Sequence, residues 1–450
     1  MLVRTTAVRE PLKVSGRWDL NESVIADTIV QRDAVLFVWG DFQGSLTIER
    51  GAQVFIEGFI DGKVTNKGGR LVVHDKRVTD LTIAGPPEAE AGGTLKINLS
   101  AIAANWRALA KCTLAECAAV VKADAYGCGI DPVVAALANC GCRTFFVSSL
   151  AEAKRVRAVA AHSTIYVLNG FYPDTGPVFA EIDARPVIST LIELAEWDAF
   201  VSSSGWAGRF ALYADTGTGR GVSIDEAIAL ASRTHAKTHG IALLISGLDD
   251  GKAPHHPQHD RQVAVFRDLS RHYVGVPASL ANSFGIFCGS KTHFDLVRAG
   301  AALYGINPML DARNPMLPVI ELQGRIAQVR NIERGETIAG IGWTAKRRSC
   351  IALVAVGYAD GYPAIVSGSV KTPQAVIEHK MCPILGRVSM DLIAVDITDL
   401  PNPATARRGG MVTLIGEQIS IDDLAAVAKS TGYEVLSRLG HRFHRIYRAS

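Results

Sequence analysis

No run of about 18 apolar residues, the length that spans a bilayer as a helix, occurs anywhere in the 450-residue sequence. The opening stretch MLVRTTAVREPLKV also lacks the apolar core of a secretory signal. The expectation is a cytoplasmic chain without membrane insertion. Cysteine is sparse too: eight scattered residues are too few for a disulfide framework in a chain of this length. Cys140-Gly-Cys142 has no second pair to complete a zinc site, so no metal is expected and the thiols are read as reduced core residues. Lys and Arg leave a net charge of only +3 and are dispersed, with no basic stripe interleaved with aromatics, which argues against nucleic acid. Apolar residues at 48% against 20% charged exclude a disordered chain. At about 100–200 residues per domain, there is material for two or three domains.

What is present falls into three parts. Residues 20–85 alternate apolar and polar positions with a repeat: Gly40, Phe42, Gly44, Gly51 and Val54 recur as Gly58, Ile60, Gly62, Gly69 and Val72, an offset of 18. A weaker upstream copy sets Asp33-Ala34 against Gly51-Ala52, and Leu36 and Val38 against Val54 and Ile56. Short period-2 strands with glycines at fixed offsets predict a small all-β solenoid over 1–90, an ordinary antiparallel meander being the other compatible arrangement. PPEAEAGG at 86–93 reads as a linker.

From residue 94 to 318 strand-like and helix-like segments alternate. Eight apolar runs end at or near Lys122, Ser148, Leu168, Ser189, Ala214, Ser246, Ala281 and Ala302, with helical stretches such as 132–138 and 151–160 between them. Eight βα units predict an α/β domain of the (β/α)8 TIM-barrel type, with chemistry at the C-terminal strand ends. Over 319–450 the alternation stops and strands separated by Gly- and Pro-containing turns predict a C-terminal β domain. A late helix over 421–430 opens on Ser420 as N-cap.

The chemistry centres on VVKADAYGCG, residues 120–129, where a buried-strand pattern delivers Lys122 and then Tyr126 into a turn marked by glycines. A lysine amine at the mouth of an apolar pocket loses its proton more readily and is suited to a Schiff base with an aldehyde cofactor, while a nearby phenol can bond a phosphate. An isolated strand-end lysine would more often point to water.

This motif resembles the pyridoxal 5'-phosphate (PLP) lysine motif of the alanine racemase family. The resemblance extends over roughly 94–450 through Asn98–Ile102, Ala214-Asp215-Thr216-Gly217-Thr218-Gly219-Arg220, Ala281-Asn282-Ser283, LVRAGAALYG at 296–305, AVGYADG at 355–361 and GRVSMD at 386–391. It implies a PLP-dependent isomerase in which Lys122 and Tyr358 are the two catalytic bases that interconvert L- and D-alanine, the D form being a peptidoglycan precursor. Lys122, Tyr126, Arg220, Ser283, Arg298 and the amides of Gly300 and Ala301 would hold the cofactor. Arg220, Met390 and Asp391 would meet the substrate, and Arg387 would lie in the entry channel. The family works as a homodimer with shared sites, Tyr358 coming from the neighbouring subunit. Arg298 would face the pyridine nitrogen; a guanidinium can only donate there, which favours brief deprotonation at Cα over a long-lived carbanion. Asp215 reads as a loop holder.

Three positions depart from the family pattern: Leu244 where a ring-stacking histidine is frequent, Tyr213 where a carbamylated lysine often braces the arginine equivalent to Arg220, and His441 where a tyrosine is common. They leave room for racemisation of another small amino acid such as serine. A PLP decarboxylase of the same architecture and a non-catalytic scaffold built on the N-terminal repeat are the other readings. The repeat itself is similar to polymer-forming bactofilin domains, which leaves self-assembly, an unknown partner or passive capping open.

Overall fold

Apolar runs bounded by well-capped helices dictate the first of two compact units, Ala101–Pro318 in the computed structural model. The structure describes residues 8–40, 42–56, 64–73, 81–235, 240–249, 256–309, 312–365 and 372–448. In this unit eight parallel strands follow one another as Ala278–Ser279, Ile241–Ile245, Phe210–Tyr213, Arg185–Ile188, Thr164–Val167, Thr144–Val147, Glu116–Val120 and Leu296–Ala299. The two ends meet through the amides of Asp295 and Arg298, which donate to the carbonyls of Ala278 and Ala281 at 3.0 and 2.9 Å. The sheet thus closes as the expected (β/α)8 barrel. Alternate residues fill its lumen: Ala118 and Val120, Ala211 and Tyr213, Leu243 and Ile245, with Phe146 and Tyr166. Between strands, Ser149 with Glu152 and Ser223 with Glu226 form reciprocal capping boxes that start the helices Leu150–Val159 and Ile224–Leu230.

The second unit combines Met1–Ser100 with Val319–Ser450. Its main sheet has the order Ser349–Val354, Ile393–Asp396, Lys380–Leu385, Gln374–Ile377, Met411–Ile415, Ile320–Ile332, Gly93–Asn98, His444–Arg448 and Leu81–Ala84. The 13-residue strand Ile320–Ile332 makes this possible: its first half pairs with Gly93–Asn98 and Met411–Ile415, its second with Ser349–Val354, closing six strands on themselves. The expected helix starts on Ser420 as predicted but ends at Ala428. A second helix, Gly432–Arg438, and the strand His444–Arg448 complete the region.

Two expected boundaries move. The strand Gly93–Asn98 does not open the barrel; it lies between Ile320–Ile332 and His444–Arg448 in the β unit. Residues 86–93 are not a linker between modules either, because the strand before them, Leu81–Ala84, pairs antiparallel with the other edge of His444–Arg448. Long-range pairing of this kind leaves no local mark in a sequence.

The N-terminal repeat is a parallel solenoid, not a meander. Leu12–Val14, Thr28–Val30, Leu46–Ile48 and Val64–Asn66 stack in one parallel sheet, and Arg17–Leu20, Val35–Val38, Gln53–Ile56 and Arg70–Val73 in another. Bridges from Val8 to Val24 to Phe42 make a third face. Leu36 stacks on Val54 and Val38 on Ile56, as the weaker copy predicted, and Val24, Phe42, Ile48 and Val54 are fully buried inside. The next coil is one residue shorter: Val54 faces Leu71 and not Val72. The coil corners show why, since the left-handed positions are Gly16, Asp33, Gly51 and Gly68. Gly58, Ile60 and Gly62 lie outside the described residues.

Candidate functional site

After Val120 the strand is held one residue further by the Val121 amide, which donates to the Phe146 carbonyl at 2.8 Å. From there the chain does something the glycines alone do not explain. Ala123, Asp124, Ala125 and Tyr126 all have φ of 53–54°, a full turn of left-handed helix built from residues with side chains. Left-handed backbone costs an L-residue about 1–2 kcal/mol, so four in succession store on the order of 4–8 kcal/mol that the surroundings must hold. Gly127 and Gly129 merely end the run, their amides donating to Ala123 and Asp124 at 2.8 Å each. Lys122 stands at the head of this turn and Tyr126 at its foot. Tyr126 stacks on Tyr304 with ring centres 4.6 Å apart. The buried Tyr304 hydroxyl donates to the Val120 carbonyl at 3.0 Å, and burial pushes its pKa well up, so it remains a donor.

Opposite lies a small polar cradle. Asn282 caps the helix Ser283–Phe287 by accepting from the Gly285 amide. The Ser283 hydroxyl accepts from the amides of Gly300 at 2.9 Å and Ala302 at 3.2 Å. The structure therefore brings Ser283 together with the backbone of Gly300 and Ala302. A Cβ on Gly300 would sit 2.8 Å from the Tyr126 hydroxyl oxygen, so the phenol reaches this cradle and only glycine leaves it room.

Arg298 lies on the last barrel strand and is buried. One terminal nitrogen donates to the Ser279 carbonyl and hydroxyl at 2.9 and 2.7 Å, the other to the carbonyls of Ser246 and Leu280 at 2.5 and 3.2 Å. Burial pulls its pKa down to about 10, which leaves it a cation at neutral pH. A hydroxyl pair, Thr216 with Ser246 at 2.9 Å, ties the same strand end to the loop that carries Arg220.

That loop is organised by Asp215. One carboxylate oxygen accepts from the amides of Gly217, Thr218 and Gly219 at 2.8, 2.8 and 3.1 Å. Burial pushes the Asp215 pKa up, but these amide donors outweigh it and hold the carboxyl below its ordinary value. Asp215 is thus the loop holder the Asp-Thr-Gly pattern suggests. Arg220 bonds the Leu168 carbonyl and lies over the Tyr213 ring. Leu244 does not face the site at all: its neighbours Leu243 and Ile245 belong to the barrel interior, and strand alternation turns Leu244 to the opposite side.

In the β unit, Tyr358 opens the single turn Tyr358–Asp360 and is exposed. Its amide donates to Ser389 and that of Ala359 to Met390, both at 3.0 Å, which fixes the GYADG and SMD segments together. Arg442 bridges the same two segments, 3.1 Å from Asp360 and 2.9 Å from Asp391. Asp391 therefore has its carboxylate engaged within its own unit. His441 and Arg387 are exposed.

Sequence reasoning missed Arg442, Tyr304, Ser279 and Thr216. It also passed over Glu152 and Arg155, although Ser149-Leu-Ala-Glu152 is a capping-box pattern. Ion pairs such as Arg442 with Asp391, 51 residues apart, have no local signature.

A lysine and a tyrosine delivered to the C-terminal mouth of a (β/α)8 barrel, beside an amide-and-hydroxyl cradle and a buried arginine, define a barrel enzyme of the kind that handles a phosphorylated cofactor. Family models sharpen this: that for the alanine racemase N-terminal domain matches residues 97–308, and that for the alanine racemase C-terminal domain matches 319–447. An alanine racemase of Methylobacterium sp. (strain 4-46) is 46% identical over 360 residues, 79% of this chain and 98% of its own length. That of Rhizobium meliloti (strain 1021) is 40% identical over 374 residues, 80% of this chain and 98% of its own. Among solved structures, the alanine racemase from Bartonella henselae with covalently bound pyridoxal phosphate has a TM-score of 0.74 at 32% identity, covering 79% of this chain and 99% of that one. The biosynthetic enzyme from Pseudomonas aeruginosa has a TM-score of 0.72 at 30% identity, covering 79% and 99%.

The chain belongs to the alanine racemase family. Its reaction is the isomerisation of L- and D-alanine and its cofactor is PLP; the relatives lend no support to a decarboxylase, a serine racemase or a non-catalytic scaffold. The solenoid precedes both matched regions.

Proposed function

We propose that Lys122 carries PLP and that Lys122 and Tyr358 of the partner subunit alternate as acid and base on opposite faces of the alanine Cα. The observation that carries this is the left-handed turn, which puts Lys122 at the barrel mouth and sends Tyr126 to the Ser283–Gly300 cradle in one local movement of the chain. The donor set suits a phosphate. Ser283 spends its lone pairs on two backbone amides, so its hydrogen is what it has to offer an anion, and Tyr126 adds a phenol. Gly300 and Ala301 supply backbone at the same rim. Bound PLP supplies the electron sink that makes proton loss at Cα accessible.

Arg298 holds a fixed positive charge toward the ring nitrogen and, as a cation, leaves that nitrogen unprotonated. Arg220 presents its planar fork to the cofactor phenol and the substrate carboxylate. Met390 and Asp391 line the same end of the substrate, through the backbone of their turn, since the Asp391 carboxylate is paired with Arg442. Lys122 serves the proton of D-alanine and Tyr358 that of L-alanine. To act as a base near neutrality the phenol needs a polar or cationic neighbour, and the assembled site must provide it.

A homodimer follows from this division of labour. The cytoplasm is the compartment in keeping with eight cysteines of which none is in a disulfide among the described residues. Lys122→Ala should lose the visible absorption of the lysine-bound cofactor together with activity. Tyr358→Phe should keep the absorption and lose exchange of the L-alanine α-hydrogen by ~100-fold or more. Mixing the two inactive variants should restore activity in hybrid dimers; no recovery despite demonstrated subunit exchange would put both bases in one chain.

A further inference from the structure

Between Lys122 and Tyr126 the chain offers one polar handle, Asp124, flanked by two alanines. The handle is gripped twice by a helix of the next βα unit. On the helix Leu150–Val159, Glu152 and Arg155 are three residues apart and share a face. Glu152 accepts the Asp124 amide with one oxygen at 3.2 Å, and the amides of Ser148 and Ser149 with the other at 2.8 and 3.2 Å. Arg155 reaches the Asp124 carboxylate at 2.6 Å with one terminal nitrogen. Its remaining fork engages Asp131 in a two-point pair at 3.0 and 3.2 Å. The same oxygen of Asp124 also takes the Ile130 amide at 3.0 Å, which fixes the exit of the turn.

We propose that Glu152, Arg155 and Asp131 are positioning residues for Lys122, holding Asp124 so that the left-handed turn keeps the lysine amine aimed at the reacting carbon. The inference rests on the assignment of Lys122 as the cofactor lysine and proton carrier. Its logic is geometric. A turn of L-residues in the left-handed region persists only where neighbours over-determine it, and relaxing it would swing Lys122 and Tyr126 apart, separating amine from phosphate anchor. Capping alone does not require this arrangement: Ser149 already closes the helix start with Glu152, whereas Arg155 serves no cap and is spent on Asp124, with Asp131 holding the rest of its fork. A displaced amine should slow the one proton transfer that Lys122 performs and leave the Tyr358 transfer intact.

The test uses the full-length PLP-loaded enzyme with Arg155→Ala, Arg155→Lys and Asp131→Asn. In Arg155→Ala the amides of 123–130 should exchange their hydrogens ~10-fold faster, and the pH at which the visible absorption of the Lys122-bound cofactor titrates should move. Turnover should fall about 10- to 100-fold, the scale of an ångström-level misplacement. The deuterium effect measured with Cα-deuterated D-alanine should rise while that with Cα-deuterated L-alanine falls. Arg155→Lys, which can still meet Asp124 but not pair with Asp131 at two points, should lie between. If Arg155→Ala does not fold, Glu152→Gln is measured in the same way. Unchanged exchange and titration, or equal loss for both enantiomers in proportion to lost cofactor, would overturn the proposal. Lys122→Ala separates the two levels: absorption that survives there sinks the lysine assignment and the positioning role with it, whereas absorption lost there alongside a silent Arg155→Ala sinks the positioning role alone.

Discussion

The guanidinium of Arg220 lies 5.1 Å from the centre of the Tyr213 ring, so an aromatic face supports the arginine at the barrel mouth. The family resemblance places a carbamylated lysine at this position, a charged brace; here the brace is neutral. Gly247 accommodates the change, because a Cβ there would lie 2.5 Å from the Tyr213 hydroxyl oxygen. A cation over a ring is worth about 0.5–1 kcal/mol at an exposed site. Tyr213→Leu should therefore raise KM for alanine by ~2- to 5-fold, while Tyr213→Phe keeps the ring and the wild-type KM. Steady-state kinetics in both directions checks this, and equal KM values for Leu and Phe would rule the ring out as a support.

The Gly300 cradle makes a second prediction. An added methyl would sit 2.8 Å from the Tyr126 hydroxyl oxygen and 3.5 Å from the Val120 Cβ, the latter ordinary contact, so the phenol must yield. Overpacking of this order costs about 1–3 kcal/mol. Gly300→Ala should weaken PLP binding by roughly 5- to 150-fold on that scale, read by titrating apoenzyme with PLP. An unchanged affinity would mean that Tyr126 is not an anchor.

Asp215 carries a prediction about acid. Its folded-state pKa is below the ordinary 3.8 because three amides point at one oxygen. A carboxylate depressed in the fold contributes stability that is complete above its unfolded pKa and is lost as pH falls through the folded value. The 215–220 loop should thus loosen only below about pH 4, given an ordinary Asp pKa of about 3.9. Asp215→Ala should remove that acid step and cost about 1–2 kcal/mol at neutral pH, the net scale of charge-assisted bonds discounted for partial exposure. Comparing acid titrations of hydrogen exchange at the 215–220 amides in the two proteins tests it; identical acid limbs would assign the step elsewhere.

How much of this was legible beforehand divides along physical lines. Local signals carried through: eight apolar runs became eight strands, Ser420 capped its helix, and Leu36 and Val38 found Val54 and Ile56 at the predicted offset. Strand alternation, properly applied, would also have turned Leu244 away from the site, since the interior takes Leu243 and Ile245. The left-handed turn was not legible, because Ala123, Asp124 and Ala125 have no preference for positive φ and are held there by residues of the next unit. The one-residue shortening between Gly51 and Gly68 was hidden by Gly69 beside Gly68, which offered the wrong partner at the expected spacing.

The boundary of the solenoid gives the last prediction. The sequence suggested a cut at residue 90, but Leu81–Ala84 runs antiparallel along His444–Arg448, pairing Ala84 with Arg445 and Leu81 with Arg448. The C-terminal strand is therefore bracketed by Gly93–Asn98 on one side and Leu81–Ala84 on the other. Removing residues 1–90 strips one bracket and leaves the last strand as an unpaired edge, open to aggregation. Removing residues 1–73 deletes every described solenoid strand and spares the bracket. The shorter deletion should melt with the same catalytic-unit transition as the full chain and racemise alanine at the same kcat. The longer one should lose on the order of 2–4 kcal/mol, a few backbone bonds at about 1 kcal/mol each, with a lower Tm and a tendency to precipitate. Calorimetry of the two truncations beside the full chain decides it. If both melt together, Leu81–Ala84 belongs energetically to the solenoid and not to the sheet it edges.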